Sequence, residues 1–385
     1  MVPEGWRKGI FAEGITLVSG QHVEAQHVNE LGKGQPYLTG PADFPNGAII
    51  VSKYTDQGRK FSQKGDILIT VKGSGTGKVI ESDDNYAISR QLMAIRATDF
   101  DPRFTYYNVV SSLNRYEGAA AGLIPGISRE DVLGTPLLIP PLPEQKKIAQ
   151  ILSTWDQAIT ATERLLENSQ QRKKGLMQKL LTGKKRLPGF EGEWLVCRLG
   201  DLFAERNEIG GENLALLSIT SNDGVVNQDE TGRKDTSNAD KSKYKRICPG
   251  DIGYNTMRMW QGRSSLSDKD GLVSPAYTIL KPSNEANSLY FSYLFKLPAM
   301  IHVFYRNSQG LVSDTWNLKY KHLKNISWKV PPESEQAAIA KILLTADYEI
   351  NALKVQRDHL TQEKKALMQQ LLTGKRRVNV DTEAA

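Results

Sequence analysis

The stretch EQKKIAQILSTWDQAI, residues 144–159, returns 191 positions later as EQAAIAKILLTADYEI, residues 335–350. A second stretch repeats at the same distance, since KKGLMQKLLTGKKR at 173–186 matches KKALMQQLLTGKRR at 364–377. About half of the aligned positions are identical and no gap is needed, so chance is a poor explanation. Solenoid repeats have periods of roughly 20–50 residues. A much longer period indicates a duplicated domain with its helix, and duplex DNA is the commonest large partner with a matching two-fold axis.

Both repeated stretches carry apolar residues at a spacing of three and four, which predicts long helices. The first is expected from Glu144 to about Thr182, between Pro143 and Gly183, and the second from about Glu335 to Thr373. Two apolar stripes of equal length are most simply buried against each other, which predicts an antiparallel coiled coil. The alternative is that each helix packs on its own globular domain.

The segments that precede the two helices are mixed in character and resemble each other only faintly. KGDILIT at 64–70 matches PGDIGYN at 249–255, where Gly and Asp are typical of a turn that leads into a strand. The sequence therefore predicts an α+β fold with two mixed α/β domains, related by a pseudo-two-fold and separated by the two helices. The predicted division is a first domain at 1–143, a central helical spacer at 144–186, a second domain at 187–334, a C-terminal helical spacer at 335–377 and a tail at 378–385.

Composition limits the possible partners and compartments. A net charge of +7 favours an anionic partner, although a modest excess is also common in proteins that bind none. Cys197 and Cys248 lie too far apart for a CxxC pair, and His22 and His27 are five apart where one helical face needs four, so no metal site is expected. No apolar run approaches the ~18 residues of a membrane span, which predicts a soluble, cytoplasmic protein.

A glycine-rich loop, VKGSGTGKVI at 71–80, has the wrong spacing for a nucleotide-binding loop. Lys72 stands where the first glycine of GxxxxGK should be, and Val79 where a serine or threonine should bind magnesium. A hairpin loop whose two lysines could contact DNA phosphate, or a plain tight turn, fits better. The chain also has no Asn-Pro-Pro-Tyr-like motif of an adenine methyltransferase, and no catalytic residue is predicted.

Candidate DNA contacts are basic residues interleaved with aromatic residues or glycine, because Arg and Lys hold phosphates and Arg reads base edges. For any single candidate, a solvated surface charge is at least as frequent. The runs SKYKR at 242–246 and MRMWQGR at 257–263 are favoured, since several donors lie close together with few acids. The candidates are Lys72, Lys78, Arg90, Arg115, Tyr116, Lys241, Lys243, Lys245, Arg246, Arg258, Trp260 and Arg263.

At these motifs the chain resembles the specificity subunits of Type I restriction-modification enzymes. The likeness covers nearly the whole chain: a segment, a PPLPEQ boundary, a long helix ending in LLTGKKR, then the same order again. GEWLVCRLGDLF at 192–203 is similar to the usual opening of such a domain, and residues 258–282 to its middle. The first segment departs from the pattern, since Trp6 is not followed by WxxxxLGD spacing.

The resemblance implies a DNA-reading subunit without chemistry of its own. Each variable segment would be a target recognition domain for one half of a bipartite, asymmetric site in double-stranded DNA. The helices would set the gap and dock two modification subunits that methylate adenine N6, and restriction subunits would add translocation and cleavage. S-adenosylmethionine, ATP and Mg would belong to those partners. The alternative is a coiled-coil scaffold or assembly protein with two protein-binding domains.

Overall fold

The computed structural model describes residues 2–73, 75–120, 126–209, 211, 214–220, 224–232, 240–312 and 315–380. They form two compact units, of which the first is Met1–Glu163 with Val355–Ala385 and the second is Arg164–Lys354. Both boundaries fall inside the long helices, and they are separated by 191 positions, the shift of the sequence repeat.

Among its described residues, the first unit contains three sheets. Four antiparallel strands lie in the order β2-β10-β7-β8, β1 pairs with β11, and five short strands lie in the order β3-β5-β4-β9-β6. The strands are β1 (Arg7–Ile10), β2 (Ile15–Ser19), β3 (Val28–Asn29), β4 (Gln35–Leu38), β5 (Tyr54–Thr55), β6 (Phe61–Ser62), β7 (Ile67–Thr70), β8 (Val79–Glu81), β9 (Tyr86–Ile88), β10 (Leu92–Ala97) and β11 (Pro136–Ile139). The helices are α1 (Pro102–Ser111), α2 (Leu113–Ala120), α3 (Arg129–Leu133) and the start of α4 (Leu142–Leu180).

The second unit repeats this order with four antiparallel strands, β13-β20-β17-β18, and with β12 paired to β21. Two further pairs are β14-β15 and β16-β19. The strands are β12 (Leu195–Arg198), β13 (Phe203–Glu205), β14 (Leu217–Ile219), β15 (Val225–Asn227), β16 (Lys245–Ile247), β17 (Ile252–Asn255), β18 (Ser264–Leu266), β19 (Gly271–Val273), β20 (Tyr277–Pro282) and β21 (Ser327–Val330). The helices are α5 (Leu199–Leu202), α6 (Ser288–Leu294), α7 (Pro298–Asn307), α8 (Tyr320–Leu323) and the start of α9 (Glu333–Leu372).

The core of each unit is closed by the start of one long helix and the end of the other. In the first unit, Ile148 and Leu152 of α4 share the core with Leu371 of α9. In the second, Ile339 and Leu343 of α9 share it with Leu180 of α4. Burial of these apolar side chains holds the helix segments both to each other and to the domain.

Buried carboxylates explain why the Glu-Gln pair recurs at both helix starts. Glu144 accepts a hydrogen bond from the Trp6 indole at 3.0 Å, and Arg377 donates to it at 2.6 and 3.1 Å. Glu335, whose side chain is completely buried, accepts from the Trp194 indole at 3.1 Å and from both arms of Arg186 at 2.7 Å. A buried carboxylate requires such compensation, because desolvation of an unpaired charge is costly.

The adjacent glutamines join each helix start to its own domain. Gln145 donates to the Pro140 carbonyl at 2.9 Å and accepts from the Asp101 backbone N–H at 2.9 Å. Gln336 makes the equivalent bonds to the Pro331 carbonyl and the Asn287 N–H, both at 2.9 Å. Both glutamines are buried, so each of these bonds satisfies a group that water does not reach.

About three turns further along each helix, an aspartate bonds its own helix both to the domain and to the other long helix. Asp156 accepts from the Tyr107 hydroxyl and from Lys364 of α9. Asp347 accepts from the Tyr293 hydroxyl at 2.7 Å and from Lys173 of α4. The acidic residue of each pair lies near the start of one long helix, and its basic partner lies near the end of the other. In each unit, the acidic residue with the higher residue number has the basic partner with the lower residue number, so the two helix segments run antiparallel.

The fold predicted from the sequence is confirmed, including the α+β class and the antiparallel helix pairing. The two helices begin two residues before the predicted Glu144 and Glu335, at Leu142 and Glu333. Pro143 is tolerated there because the first N–H groups of a helix have no intrahelical acceptor. Among the described residues, no helix is long and apolar enough to cross a membrane.

We expect Glu335→Ala to destabilise the protein more than Glu144→Ala. The Glu335 side chain is fully buried and Arg186 is 28% exposed, whereas Arg377 beside Glu144 is 42% exposed and loses less when it is left unpaired. Removal of one member of a buried pair is strongly destabilising because it leaves a charge without its partner, so Glu335→Ala should lower the free energy of unfolding by the larger amount. Urea-induced unfolding of both variants measures the difference. Arg357→Ala is the control, because Arg357 pairs only with its exposed neighbour Asp358 in the structure, and a loss in this control as large as in Glu335→Ala would contradict the explanation.

Candidate nucleic-acid interface

In the first unit, the loop between β7 and β8 is a hairpin that presents two lysines. Lys72 and Lys78 are exposed at its two ends. The Gly77 N–H donates to the Thr70 carbonyl at 2.8 Å, and Thr70 N–H donates to the Lys78 carbonyl at 2.8 Å. Gly77 has φ +90°, a conformation that a residue with a side chain rarely adopts. Ser74 of this loop lies outside the described residues.

The second unit has a hairpin loop at the same place in its sheet, between β17 and β18. Arg258 and Arg263 are exposed on this loop, and Trp260 is half-buried in a short 3-10 turn between them. The Trp260 indole donates to the Met257 carbonyl at 3.0 Å, and its ring meets Trp316 edge to face at 5.2 Å between centroids. Trp260 therefore fixes the shape of the loop that carries both arginines.

A buried aspartate supports the start of each hairpin. Asp66 precedes β7 and takes two bonds from Arg96, at 2.8 and 2.7 Å. Asp251 precedes β17 and takes two bonds from Arg206, at 2.7 and 3.2 Å. The hydrogen bonds to the Asp251 carboxylate also raise the pKa of the Arg206 guanidinium. The two units thus hold their hairpins in the same way, although the arginines differ in position. Arg96 lies in β10, whereas Arg206 follows β13.

The four exposed hairpin cations are available to an anionic ligand. Within the part of the chain that the structure describes, no carboxylate lies within ion-pair distance of Lys72, Lys78, Arg258 or Arg263. Because their charge is not neutralised locally, they are well placed to bind phosphate.

The basic run that ends in β16 is different, because much of its charge is already paired. Arg246 donates to Asp270 at 2.9 and 2.7 Å and to Glu208 at 2.7 Å. Asp270 and then Glu208 raise the pKa of the Arg246 guanidinium, and Arg246 in turn lowers the pKa of the Asp270 carboxyl. Lys245 pairs with Glu205 at 3.4 Å. These two cations are less suited to DNA than the hairpin arginines.

The remaining candidates lie in several other places. Lys243 is exposed, and the Lys241 ammonium lies 4.7 Å from the centre of the Tyr244 ring. Arg90 is exposed in the turn between β9 and β10, and Arg115 is exposed on α2. Tyr116 is completely buried and its hydroxyl lies 2.9 Å from that of Thr135. Because the core encloses its ring, the prediction of Tyr116 as a DNA contact is wrong.

The sequence search missed two lysines beside the second hairpin. A cleft of about 620 Å³ is lined by Lys319 and Lys321 together with Lys245, Thr256 and Pro275. The run KYK at 319–321 has the same alternation of basic and aromatic residues as SKYKR, so a wider search for that pattern would have found it. Among the described residues, no group of three or more acidic, histidine or cysteine side chains could hold a metal ion.

Comparisons with known proteins agree with the architecture. A family model described as the Type I restriction modification DNA specificity domain matches residues 17–168. A putative type I restriction enzyme specificity subunit, MjaX of Methanocaldococcus jannaschii, is 29% identical over 191 residues, which is 48% of this chain but only 45% of that protein. The MjaVIII specificity subunit of the same organism is 23% identical over 406 residues, covering 98% of this chain and 94% of the relative.

A solved structure shows the same fold. The S subunit of a Type-I restriction-modification system from M. genitalium aligns with a TM-score of 0.60, covering 96% of both chains at 19% identity. The family model stops within α4, but the second unit repeats the strand order of the first. The similarity of fold therefore extends over both units.

We expect Asp251→Ala to destabilise the second unit and its hairpin. Asp251 is 2% exposed, and its loss leaves Arg206 without its principal acceptor, at a cost of ~3 kcal/mol or more. Urea-induced unfolding should show this loss. Asp270→Ala is the matched control, because Asp270 also holds an arginine but its side chain is 38% exposed, and solvent screening should make its effect much smaller. Equal losses in the two variants would refute this role of burial.

Proposed function

We propose that the chain is a member of the Type I restriction-modification specificity subunits and that it reads DNA for a methylation and restriction complex. Each unit contains one target recognition domain, and each domain reads one half of a bipartite site. The observation that carries this proposal is the pair of hairpins. They stand at the same place in matching sheets, yet one offers two lysines and the other two arginines and a tryptophan. Two different readers on one scaffold predict an asymmetric target.

The hairpin cations supply the first contact with the duplex. Lys72 and Lys78 are point charges suited to phosphate, while Arg258 and Arg263 carry planar forks that also match guanine edges in the major groove. The net charge of +7 adds a general attraction to the polyanion.

The two long helices set the distance between the half-sites. Each helix is unbroken through the residues at which one compact unit ends and the other begins. An α-helix rises ~1.5 Å per residue and resists compression, so it suits a fixed spacer.

Partner subunits supply the chemistry. On this proposal the chain docks two modification subunits, which bind S-adenosylmethionine and methylate adenine N6 within the recognised site. Restriction subunits with ATP and Mg are further partners. The duplicated helices support two docking positions, and the missing methyltransferase motif supports a separate catalytic subunit.

The first test concerns the hairpin cations. We expect the double variants Lys72→Ala/Lys78→Ala and Arg258→Ala/Arg263→Ala to weaken duplex binding and to reduce its salt dependence. Each phosphate contact removed should lower the slope of log K against log salt by about 0.9. Fluorescence anisotropy at several salt concentrations measures this slope, with Arg357→Ala as a control outside the hairpins. Unchanged slopes in both double variants would exclude the hairpins as the phosphate contacts and would favour a protein-binding scaffold.

The second test concerns the spacer. Four residues inserted after Glu163, and four after Lys354, add one helical turn at equivalent points of both helices. Four residues lengthen a helix by about 6 Å, and the duplex rises about 3.4 Å per base pair, so the gap should grow by one to two base pairs. Mapping methylated adenines in DNA from cells that express the variant with its partner subunits measures the gap. Altered half-site sequences with an unchanged gap would disprove the spacer role.

A further inference from the structure

Each unit contains a tight turn of identical bonding beside its hairpin. In the first unit it runs from Ser89 to Leu92, where Leu92 N–H donates to the Ser89 carbonyl at 2.9 Å and Gln91 N–H donates to the Ser89 hydroxyl at 3.1 Å. In the second it runs from Ser274 to Tyr277, where the same two bonds measure 3.0 and 3.3 Å. The two turns are 185 positions apart, the same shift that relates the two hairpins.

Both turns are bonded to the base of the neighbouring hairpin. The Val71 N–H donates to the Gln91 carbonyl at 2.8 Å. In the second unit, the hydroxyl of Thr256 donates to the Ala276 carbonyl at 3.1 Å, and the Thr256 N–H donates to the same oxygen at 3.4 Å. The turn and the hairpin are therefore held together, on the same edge of the domain.

Further bonds fix the first turn to the rest of its unit. The Ser89 hydroxyl donates to the Thr39 carbonyl at 2.7 Å, and the Ser89 N–H donates to the Leu38 carbonyl at 2.9 Å. The Gln91 side chain lies over Gly40, where a Cβ atom would come within 2.5 Å of the Gln91 Oε1 atom. Glycine at position 40 thus leaves room for the Gln91 amide.

The side chains at the tips of the two turns differ completely, although the backbone is shared. Arg90 and Gln91 are exposed in the first unit, and Pro275 and Ala276 are exposed in the second. Arg90 and Gln91 also line a cleft of about 510 Å³ with His22, Lys53 and Asn29. A turn of fixed backbone with different side chains at its tip can present different chemical groups to a ligand.

We propose that these two turns determine base specificity, and that Arg90 and Gln91 read purine edges in one half-site. This inference rests on the proposed DNA-reading function. An arginine fork matches the O6 and N7 atoms of guanine, and a glutamine amide matches the N6 and N7 atoms of adenine. Pro275 and Ala276 have no side-chain donors, so the equivalent turn of the second domain makes an apolar contact of the kind that alanine makes with the thymine methyl group.

Exchange of the tips tests the inference. A library of duplexes with randomised sequence is incubated with the full chain assembled with its modification subunits, and the retained DNA is sequenced. The variants are Arg90→Ala/Gln91→Ala, Arg90→Lys and Pro275→Arg/Ala276→Gln. Arginine can replace proline here because Arg90 and Pro275 both occupy the second position of a turn. That position favours proline but accepts most residues. Arg59→Ala is the control, since Arg59 is an exposed arginine of the first unit outside the turn and the hairpin.

The expected results separate base reading from simple charge. Arg90→Ala/Gln91→Ala should lose base discrimination roughly 5- to 150-fold at one or two adjacent pairs of one half-site. The other half-site should stay unchanged, which also shows that the variant has folded. Arg90→Lys should bind with similar affinity but lose discrimination, because lysine keeps the charge without the fork. Pro275→Arg/Ala276→Gln should alter only the opposite half-site.

Three outcomes would overturn the inference. Arg90→Ala/Gln91→Ala could retain the original preference at both half-sites, it could weaken binding uniformly, or Arg59→Ala could produce the same change. By contrast, the absence of any bipartite motif with the unmodified chain would refute the proposed function itself, so the two failures are distinguishable.

Discussion

The structure of each unit depends on a carboxylate buried at the start of a long helix. Glu144 and Glu335 are satisfied by a tryptophan from the domain and by an arginine that follows the other long helix. Both donors are required, because an unpaired carboxylate buried in this position would destabilise the fold by several kcal/mol. Each unit is therefore complete only when the end of the other repeat is present. The antiparallel pairing of the helices follows from this requirement as much as from their apolar stripes.

The same constraint explains why the helices stayed alike while the domains diverged. A change at Glu335, Gln336 or Arg186 leaves a buried polar group without its partner, so the sequence of the helix ends is restricted. The hairpins are supported at their base by Asp66 and Asp251, whereas the exposed cations of the hairpins have no ion-pair partner among the described residues. On the proposed function, the buried contacts at the helix ends carry stability, and the exposed hairpin cations carry recognition.

Local patterns made some of these features predictable. The spacing of apolar residues and the repeat located both long helices to within about two residues, and Gly-Asp located the first strand of each hairpin. The ion pairing of Arg246 could not be predicted, because its partners Glu208 and Asp270 lie 38 and 24 positions away in the sequence. The burial of Tyr116 likewise depends on how α2 packs. The two turns share only a serine, so their equivalence became visible through backbone bonds.

The two domains place their exposed basic side chains on different elements. In the first, the hairpin carries Lys72 and Lys78, whereas the adjacent turn carries Arg90. In the second, the hairpin itself carries Arg258 and Arg263, and the turn is apolar. Both domains therefore place an arginine fork at the same edge, but on different elements of the same scaffold. Because the hairpin and the turn are hydrogen-bonded to each other, the fork is offset along the edge from one domain to the other. On the proposed function, two domains of one ancestry would then read bases at different positions of their half-sites, which is a route to an asymmetric target that requires no change of fold.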